Sequence, residues 1–200
     1  MQIKSAKFYL SSHKVKDCPK SILPEYAFIG RSNVGKSSLI NMITNQRKLA
    51  KTSSTPGKTQ LINHFLINGS WFLVDLPGYG YAKTSKSNKK KFQKSITDYF
   101  KQRNQLVSAF ILVDIRHAAL EIDLDFMIWL VTNNISFSII FTKADKLTEK
   151  EIENKIKDYK QKLEKDWEIL PKIFISSSKK HLGKELVLSY IQEINTSIIQ

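Results

Sequence analysis

Short apolar runs alternate with longer segments of helical spacing along most of the chain. The run at 26–29 ends at Gly30, a polar loop follows, and residues 36–44 carry Leu39 and Ile43 one helical turn apart. Continuous apolar runs are typical of buried strands, and a spacing of three to four residues is typical of helices with one apolar face. We therefore predict a strand, a loop and a helix in this order.

The same pattern predicts a hairpin and further buried strands. Residues 61–67 and 71–74 flank Asn68-Gly69, a dipeptide favoured in two-residue hairpin turns, so these segments should pair as antiparallel strands. The runs at 110–113 and 139–141 are apolar throughout, as expected of strands that helices cover on both faces.

Helices and a last strand complete the predicted fold. Helical spacing occurs at residues 86–103, 123–133, 148–166 and about 183–197, and a last strand is expected at 173–175. Strands that alternate with helices predict a three-layer α/β fold with a mostly parallel, mixed sheet of about six strands. We expect one domain over residues 25–200, an edge strand from the extension at 1–24, and a ligand site beyond the carboxyl ends of the strands.

Composition and charge narrow the class of protein. The 200 residues are 42% hydrophobic, which argues against a disordered chain, and no apolar run reaches the roughly 18 to 20 residues that cross a bilayer. With no signal-peptide pattern and a single cysteine, we expect a soluble, cytoplasmic protein. Residues 1–105 carry 19 Lys and Arg against 4 Asp and Glu, and residues 106–200 carry 13 against 14. This asymmetry favours a polyanionic partner such as nucleic acid; the alternative is a lysine-rich surface that reflects only genome composition.

Residues 30–37 match the pattern GxxxxGK(S/T), and they lie between the first predicted strand and helix, as this phosphate-binding motif requires. Glycines let backbone N–H groups approach phosphate oxygens, and the helix N-terminus adds positive charge. In this motif the lysine, here Lys36, reaches the β and γ phosphates, and the hydroxyl group of Ser37 binds Mg²⁺. A coincidental glycine-rich loop is the alternative, and the strand–loop–helix context argues against it.

Two further strand ends indicate which nucleotide binds. Asp75 follows a predicted strand and is placed to hold Mg²⁺ through a water molecule, while the Gly78 N–H group can meet a γ phosphate. The segment 142–145 also follows a strand, and the carboxylate of Asp145 can accept both N1–H and N2–H of guanine, a donor pair that adenine lacks. The stem of Lys143 can lie over the base. Taken singly, the segment at Asp75 could be an ordinary turn and the segment 142–145 a helix-capping loop. Because they follow the phosphate-binding motif in order, each at the end of a predicted strand, we favour a guanine-nucleotide site.

The chain carries, in order, GRSNVGKS, TPGKT, DLPGYGYAK, TKAD and SSSKK. These motifs resemble those of the EngB family of bacterial ribosome-assembly GTPases, in the translation-factor-related class. The resemblance spans residues 30–180 and includes DIRH at 114–117. It implies a P-loop GTPase (G) domain, GTP or GDP and Mg²⁺ as cofactors, and the large ribosomal subunit or its precursor, with its rRNA, as partner. Thr142 departs from the asparagine of most GTPases, and Asp145 remains the guanine-binding residue.

The resemblance also implies a switch I at 54–60, in which Thr59 binds Mg²⁺ in the GTP state and Thr55 is the competing candidate. Residues 176–178 resemble the loop whose backbone contacts guanine O6, and a generic polar turn is the alternative. The residues expected to bind the nucleotide are Gly30, Arg31, Ser32, Asn33, Val34, Gly35, Lys36, Ser37, Gly57, Lys58, Thr59, Gln60, Leu61, Asp75, Leu76, Pro77, Gly78, Thr142, Lys143, Ala144, Asp145, Ile175, Ser176 and Ser177. The expected metal ligands are Ser37, Thr59 and Asp75, and the expected catalytic residues are Lys36, Asn33, Thr59 and Gly78.

Hydrolysis of GTP needs a positioned water molecule and positive charge near the bridging oxygen. Tyr79 follows Gly78, where Ras-like proteins carry a water-orienting glutamine, so another group is required. Related GTPases with an asparagine at the position of Asn33 bind K⁺ there, and by resemblance we expect slow hydrolysis that K⁺ stimulates. The alternative is that Asn33 only shapes the phosphate-binding loop.

Residues 83–103 carry eight basic residues and one acid, and they follow the segment of Asp75 and Gly78, here called switch II. A basic helix beside a nucleotide-sensing loop can bind rRNA phosphates in one nucleotide state and release them in the other; a solvated helix face is the alternative. We therefore expect a monomeric GTPase that acts as a switch in assembly of the large ribosomal subunit and has no membrane partner. An RNA-modification or signalling GTPase and a nucleotide-insensitive RNA-binding module are the alternatives.

Overall fold

A computed structural model of the chain describes residues 1–51, 61–79 and 86–199. The strands are β1 (Ala6–Ser12), β2 (Glu25–Gly30), β3 (Ile62–Ile67), β4 (Trp71–Asp75), β5 (Leu106–Asp114), β6 (Phe137–Thr142) and β7 (Ile173–Ile175). The helices are α1 (Lys36–Ile43), α2 (Lys86–Gln102), α3 (Glu121–Thr132), α4 (Glu149–Leu163) and α5 (Lys184–Ile199). Within these described ranges, no helix is both long and apolar enough to span a membrane.

The strands form one mixed sheet of seven strands in the order β1-β3-β4-β2-β5-β6-β7. β1, β3 and β4 are antiparallel neighbours, and β4, β2, β5, β6 and β7 run parallel to one another. The count exceeds the predicted six by one, and the additional strand, β1, lies at the edge of the sheet within residues 1–24, where an edge strand was expected. Its pairing with β3 is irregular between Phe8 and Leu10, and most of its residues are exposed, so its hydrophobic pattern is weaker than that of the central strands.

Alternate residues of the central strands face two separate hydrophobic cores. In β2, Tyr26 and Phe28 belong to the core under α1 and α5, whereas Ala27 and Ile29 belong to the core under α2, α3 and α4. All four residues are fully buried. Continuous apolar strands arise here because helices cover both faces of the sheet, and the predicted three-layer α/β fold is confirmed.

Local sequence signals fix the hairpin and the start of α4. Asn68 and Gly69 have positive φ values of 50° and 67°, which a turn between twisted strands requires. Ile67 pairs with Trp71, so residues 68–70 connect the two antiparallel strands, as the expected strand bounds of 61–67 and 71–74 imply. Thr148 forms the capping box that begins α4, with its hydroxyl group and backbone both bonded to the residue three positions on.

A buried group of polar side chains, here called the Glu25 cluster, joins α2 to the amino end of β2. The Glu25 carboxylate accepts hydrogen bonds from Arg103 Nε at 3.0 Å, from Arg103 Nη2 at 2.5 Å and from the Tyr99 hydroxyl group at 2.7 Å. His64 Nε2 lies 3.4 Å from the same carboxylate. Burial alone would raise the pKa of Glu25, but His64 and Arg103 lower it to about 2. The cluster therefore keeps an ionised carboxylate inside the fold.

Candidate functional site

The carboxyl ends of five parallel strands meet at one edge of the sheet. Strands β2, β4, β5, β6 and β7 lead there into residues 30–37, 75–79, 114–117, 142–146 and 175–178. Ligands of open α/β sheets bind at this edge, because the loops that leave neighbouring parallel strands lie side by side. Segments that are more than a hundred residues apart in sequence are thereby brought together, and they include most of the predicted site residues.

The loop that connects β2 to α1 is tightly packed at its start. A Cβ atom on Gly30 would lie 2.7 Å from the Leu112 carbonyl oxygen, so a larger residue would displace the loop. Asn33 and Gly35 have left-handed backbone, with φ values of 61° and 104°, and Gly35 is the N-cap of α1. Consecutive N–H groups in such a turn, together with the positive end of a helix, form a binding site for phosphate.

A buried ion pair links this phosphate loop to β4. The Lys36 ammonium group donates to Asp75 Oδ1, and the two residues are only 9% and 3% exposed. Ser37, the next residue of α1, is half-buried. Its hydroxyl oxygen and the Asp75 carboxylate are ligands that Mg²⁺ prefers, and Mg²⁺ takes its other ligands from water and phosphate. No group of three or more His, Cys, Asp or Glu among the described residues could hold a metal by itself.

The backbone of Gly78 packs directly on the phosphate loop. A Cβ atom there would lie 2.8 Å from the Gly30 carbonyl oxygen. Tyr79 forms a backbone bridge with Arg31, and its ring centre lies 4.7 Å from that of Phe126 in α3. Burial raises the pKa of Tyr79 well above its usual value, so its phenol is neutral. The Tyr79 side chain thus packs against α3 and does not take the role of a water-orienting glutamine.

Two side chains of the segment 142–146 are hydrogen-bonded to the phosphate loop. The Thr142 hydroxyl group donates to the Val34 carbonyl oxygen at 2.6 Å, and the Lys143 ammonium group donates to the Asn33 carbonyl oxygen, also at 2.6 Å. Thr142 therefore links the segment after β6 to the phosphate loop, although the sequence alone showed only that it departs from the usual asparagine.

The loop after β7 orients Asp145. The Ser177 hydroxyl group donates to Asp145 Oδ1 at 2.7 Å, and this hydrogen bond lowers the pKa of Asp145. The Ala144 N–H group donates to the Ser176 carbonyl oxygen at 3.1 Å. A cavity of about 680 Å³, bounded by Gly35, Asp145 and their neighbours, opens beside these loops. Its volume lies in the range that holds small-molecule ligands.

Asp114, at the carboxyl end of β5, is a further member of the site that sequence reasoning did not assign. Its carboxylate accepts from Lys143 Nζ at 2.9 Å and from Arg116 Nε and Nη2 at 2.9 and 2.7 Å. It borders a cavity of about 180 Å³ that Asn33, Arg116 and Lys143 also line. The signal available in the sequence was its position: an acidic residue directly after a buried strand.

The remaining predicted site residues fall into two groups. Those within the described residues flank the groups above in the phosphate loop, before β3, after β4 and at the end of β7; they are Arg31, Ser32, Val34, Leu61, Leu76, Pro77 and Ile175. The switch I residues Gly57, Lys58, Thr59 and Gln60, with the competing Thr55, lie outside the described residues. The assignment of Thr59 as a metal ligand therefore stays a prediction.

Comparisons with known proteins agree with one another. A family model described as "50S ribosome-binding GTPase" matches residues 25–166. The probable GTP-binding protein EngB of Christiangramia forsetii is 60% identical over 198 residues, which are 99% of this chain and 100% of that protein. Its counterpart in Flavobacterium johnsoniae is 57% identical over 201 residues, which are 100% of this chain and 96% of that protein.

Solved structures show the same fold. A crystal structure of a probable GTP-binding protein EngB has a TM-score of 0.64 at 22% identity, and it covers 85% of this chain and 97% of that chain. Aquifex aeolicus Era bound to GDP and AlF₄⁻ has a TM-score of 0.68 at 18% identity, and it covers 86% of this chain and 56% of that chain. At these identities the likeness supports the fold alone.

Proposed function

Because the chain belongs to the EngB family of GTP-binding proteins and is a GTPase, we propose that it acts as a GTP-driven switch in assembly of the large ribosomal subunit. One observation carries the proposal: the phosphate loop, Asp75 and Asp145 converge at one edge of the sheet, as a guanine-nucleotide switch requires. The description of the matching family, a 50S ribosome-binding GTPase, supports the large subunit as partner.

In this proposal the site binds the nucleotide at both ends. Lys36 and the backbone N–H groups of 31–37 bind the phosphates, and Lys143 and Asp145 bind the base. Ser37, Thr59 and, through water, Asp75 hold Mg²⁺, which supplies positive charge to the β and γ phosphates when bound. Because Lys36 is paired with Asp75, its ammonium group must leave that carboxylate to reach phosphate, and the carboxylate then becomes available to the hydrated ion.

For hydrolysis, we assign the Gly78 N–H group to the γ phosphate and Asn33 to a K⁺ ion beside it. Tyr79 packs on α3, so the charge and the water must be arranged by other groups. Asn33 is exposed, and the bond from Lys143 to its carbonyl oxygen fixes its backbone. If Asn33 only shapes the loop, hydrolysis will not depend on which monovalent cation is present.

Hydrolysis rates at equal ionic strength in KCl and NaCl test this assignment. The wild type should hydrolyse GTP faster in KCl, and Asn33→Ala should remove the difference while GDP binding is retained. Ser38→Ala, a change at an exposed residue of α1, is the control and should keep the K⁺ stimulation. Equal wild-type rates in both salts, measured with and without ribosomal subunits, would reject the K⁺ site.

We also propose that basic residues of α2 bind rRNA phosphates. Lys94 and Lys101 are exposed on this helix, whereas Arg103, which the sequence count included, is bonded to Glu25 and to the Pro19 carbonyl oxygen. The count of eight basic residues at 83–103 therefore overstates the charge that a partner can meet. Phosphate contacts of this kind are independent of base sequence. They weaken as the salt concentration rises, because the release of counterions from the nucleic acid then becomes less favourable.

Sedimentation with purified ribosomal subunits, in GTP, GDP and nucleotide-free states over a salt series, tests the partner. We expect binding to the large subunit that depends on nucleotide, and Lys94→Gln with Lys101→Gln should lower the salt slope by about two. Lys150→Gln with Lys157→Gln makes the same charge change at exposed positions of α4 and is the control. Equal binding to both subunits in every state would contradict the proposal.

Two alternatives predict different results. An RNA-modification or signalling GTPase would bind guanine nucleotides and show no preference for the large subunit. An RNA-binding module that ignores nucleotide would bind RNA equally with and without GTP. Asp145→Asn separates this last case from the GTPases, because an amide cannot accept both guanine N–H groups: the variant should lose GDP affinity and retain its fold.

A further inference from the structure

Asp114 lies between the phosphate loop and the base-binding segment. β5 is the central neighbour of β2 and β6, and Asp114 pairs in register with Thr142. Its carboxylate accepts three hydrogen bonds from Arg116, through Nε, Nη2 and the backbone N–H, and forms an ion pair with Lys143 Nζ at 2.9 Å. None of the nucleotide-binding motifs includes Asp114.

Lys143 connects this carboxylate to the phosphate loop. The same ammonium group donates to the Asn33 carbonyl oxygen at 2.6 Å, and Lys143 itself has left-handed backbone with a φ of 62°. Its Cε atom lies 3.8 Å from the position that a Cβ atom on Gly35 would take. The stem of Lys143 is therefore laid along the phosphate loop, and Asp114 and Asn33 hold its end.

The environment of Asp114 makes this link persistent. The side chains of Asp114 and Lys143 are 10% and 27% exposed, so water screens their attraction less than that of a surface pair. Burial would raise the pKa of Asp114, but hydrogen bonds from Arg116 and Lys143 hold it well below its usual value. The carboxylate is therefore ionised at neutral pH and always available to the ammonium group.

We propose that Asp114 is a positioning residue of the nucleotide site, which holds Lys143 against the Asn33 carbonyl oxygen and so fixes both the phosphate loop and the lysine stem. This inference rests on the proposed assignment of the site to guanine nucleotides. Without the carboxylate, the ammonium group keeps one strong partner instead of two, and the stem is no longer held in place. Asp114 acts through Lys143 and does not contact the nucleotide.

The sign of the effect separates positioning from simple electrostatics. Nucleotide phosphates are anionic, so removal of a nearby negative charge would by Coulomb attraction alone strengthen binding. Loss of a positioning contact weakens it instead. A charged hydrogen bond of this kind corresponds to about tenfold in affinity, so Asp114→Asn should bind GDP about tenfold more weakly.

The experiment is an equilibrium titration with a fluorescent GDP on the full chain. Asp114→Asn and Lys143→Met should each weaken binding about tenfold, and the double variant should bind no more weakly than either one, because both changes break the same contact. Asp125→Asn, which removes one exposed acidic charge on α3, should bind like the wild type. Thermal unfolding of each variant without nucleotide checks that the fold is retained.

Each outcome decides the proposal. Unchanged or tighter binding by Asp114→Asn overturns it, and so do losses that multiply in the double variant. If Asp114→Asn unfolds, Asp114→Glu, which keeps the charge on a longer side chain, replaces it in the double-mutant cycle with Lys143→Met. Losses of GDP affinity that multiply in that cycle overturn the proposal equally. If the wild type itself binds no guanine nucleotide, the proposed function is rejected. If the wild type binds and Asp114→Asn binds equally well, only the positioning role of Asp114 is rejected.

Discussion

Removal of Arg103 should destabilise the protein far more than removal of another cation from the same helix. Arg103 donates three hydrogen bonds to the carboxylate of Glu25, which is fully buried. Arg103→Met keeps an apolar stem of similar length and leaves this charge with the Tyr99 hydroxyl group and His64 as its remaining polar neighbours. Breaking a buried ion pair from one side costs about 3–5 kcal/mol. For a chain of this size, that lowers the melting temperature by about 6–20 °C.

Calorimetry or circular dichroism of Arg103→Met and Lys101→Met measures this difference. Lys101 is exposed on the same helix, 6.0 Å from the ring of Trp129, and its substitution should change stability by no more than about 0.5 kcal/mol. Glu25→Gln added to Arg103→Met should restore part of the loss, because the unpaired charge is then gone. Equal melting temperatures for the two single variants would refute the reasoning.

The Glu25 cluster also predicts an acid limb of stability. The pKa of Glu25 is about 2 in the folded protein and about 4.3 in an unfolded chain. A carboxyl group with a lowered folded pKa contributes stability above its unfolded pKa, and that contribution is lost as the pH falls towards the folded pKa. The free energy of unfolding should therefore fall by about 2.4 kcal/mol between pH 4.5 and 2. Chemical denaturation at several pH values in this range should show that the free energy of unfolding depends less on pH in Glu25→Gln than in the wild type.

Three further predictions concern the site. Thr142→Val removes the hydroxyl group that bonds the phosphate loop and should cost about 1–3 kcal/mol, because a buried carbonyl oxygen loses its partner; denaturant titration without nucleotide measures it. Lys36→Met removes the ammonium group that we propose binds phosphate, so it should abolish GDP binding. It also leaves the Asp75 carboxylate buried and unpaired, so it should destabilise the nucleotide-free protein. A variant as stable as the wild type would contradict the buried pair. Ser177→Ala removes the bond that lowers the pKa of Asp145; GDP affinity should then be lost at a higher pH on acidification than in the wild type, as titrations from pH 7 to 4 will show.

The sequence predicts the layers of the fold well because their cause is local. Apolar runs such as 110–113 lie in strands with both faces buried, and the helical spacing at 148–166 corresponds to α4. Details are harder to predict where local signals are weak. An edge strand was expected within residues 1–24, but the irregular register of β1 against β3 has no signal in the sequence.

The site is harder to predict because its contacts join distant segments. Asp114 and Lys143 are neighbours only because β5 and β6 pair in a particular register. The charge of Arg103 is visible in the sequence, but its pairing with Glu25, 78 residues away, is not. Counting charges predicts an electrostatic field, whereas the structure shows which charges a partner can reach.

The hydrogen bonds from Thr142 and Lys143 to the phosphate loop reduce the conformational entropy that the site loses when a ligand binds. Loops that are already joined in the folded chain lose little conformational freedom when a ligand arrives, because their ordering took place during folding. The segment 142–146, which we propose binds the base, is thus joined to the phosphate loop through the same strand pairing that stabilises the sheet. Weaker pairing of β5 with β6 should therefore raise the dissociation rate of the ligand before the protein as a whole unfolds.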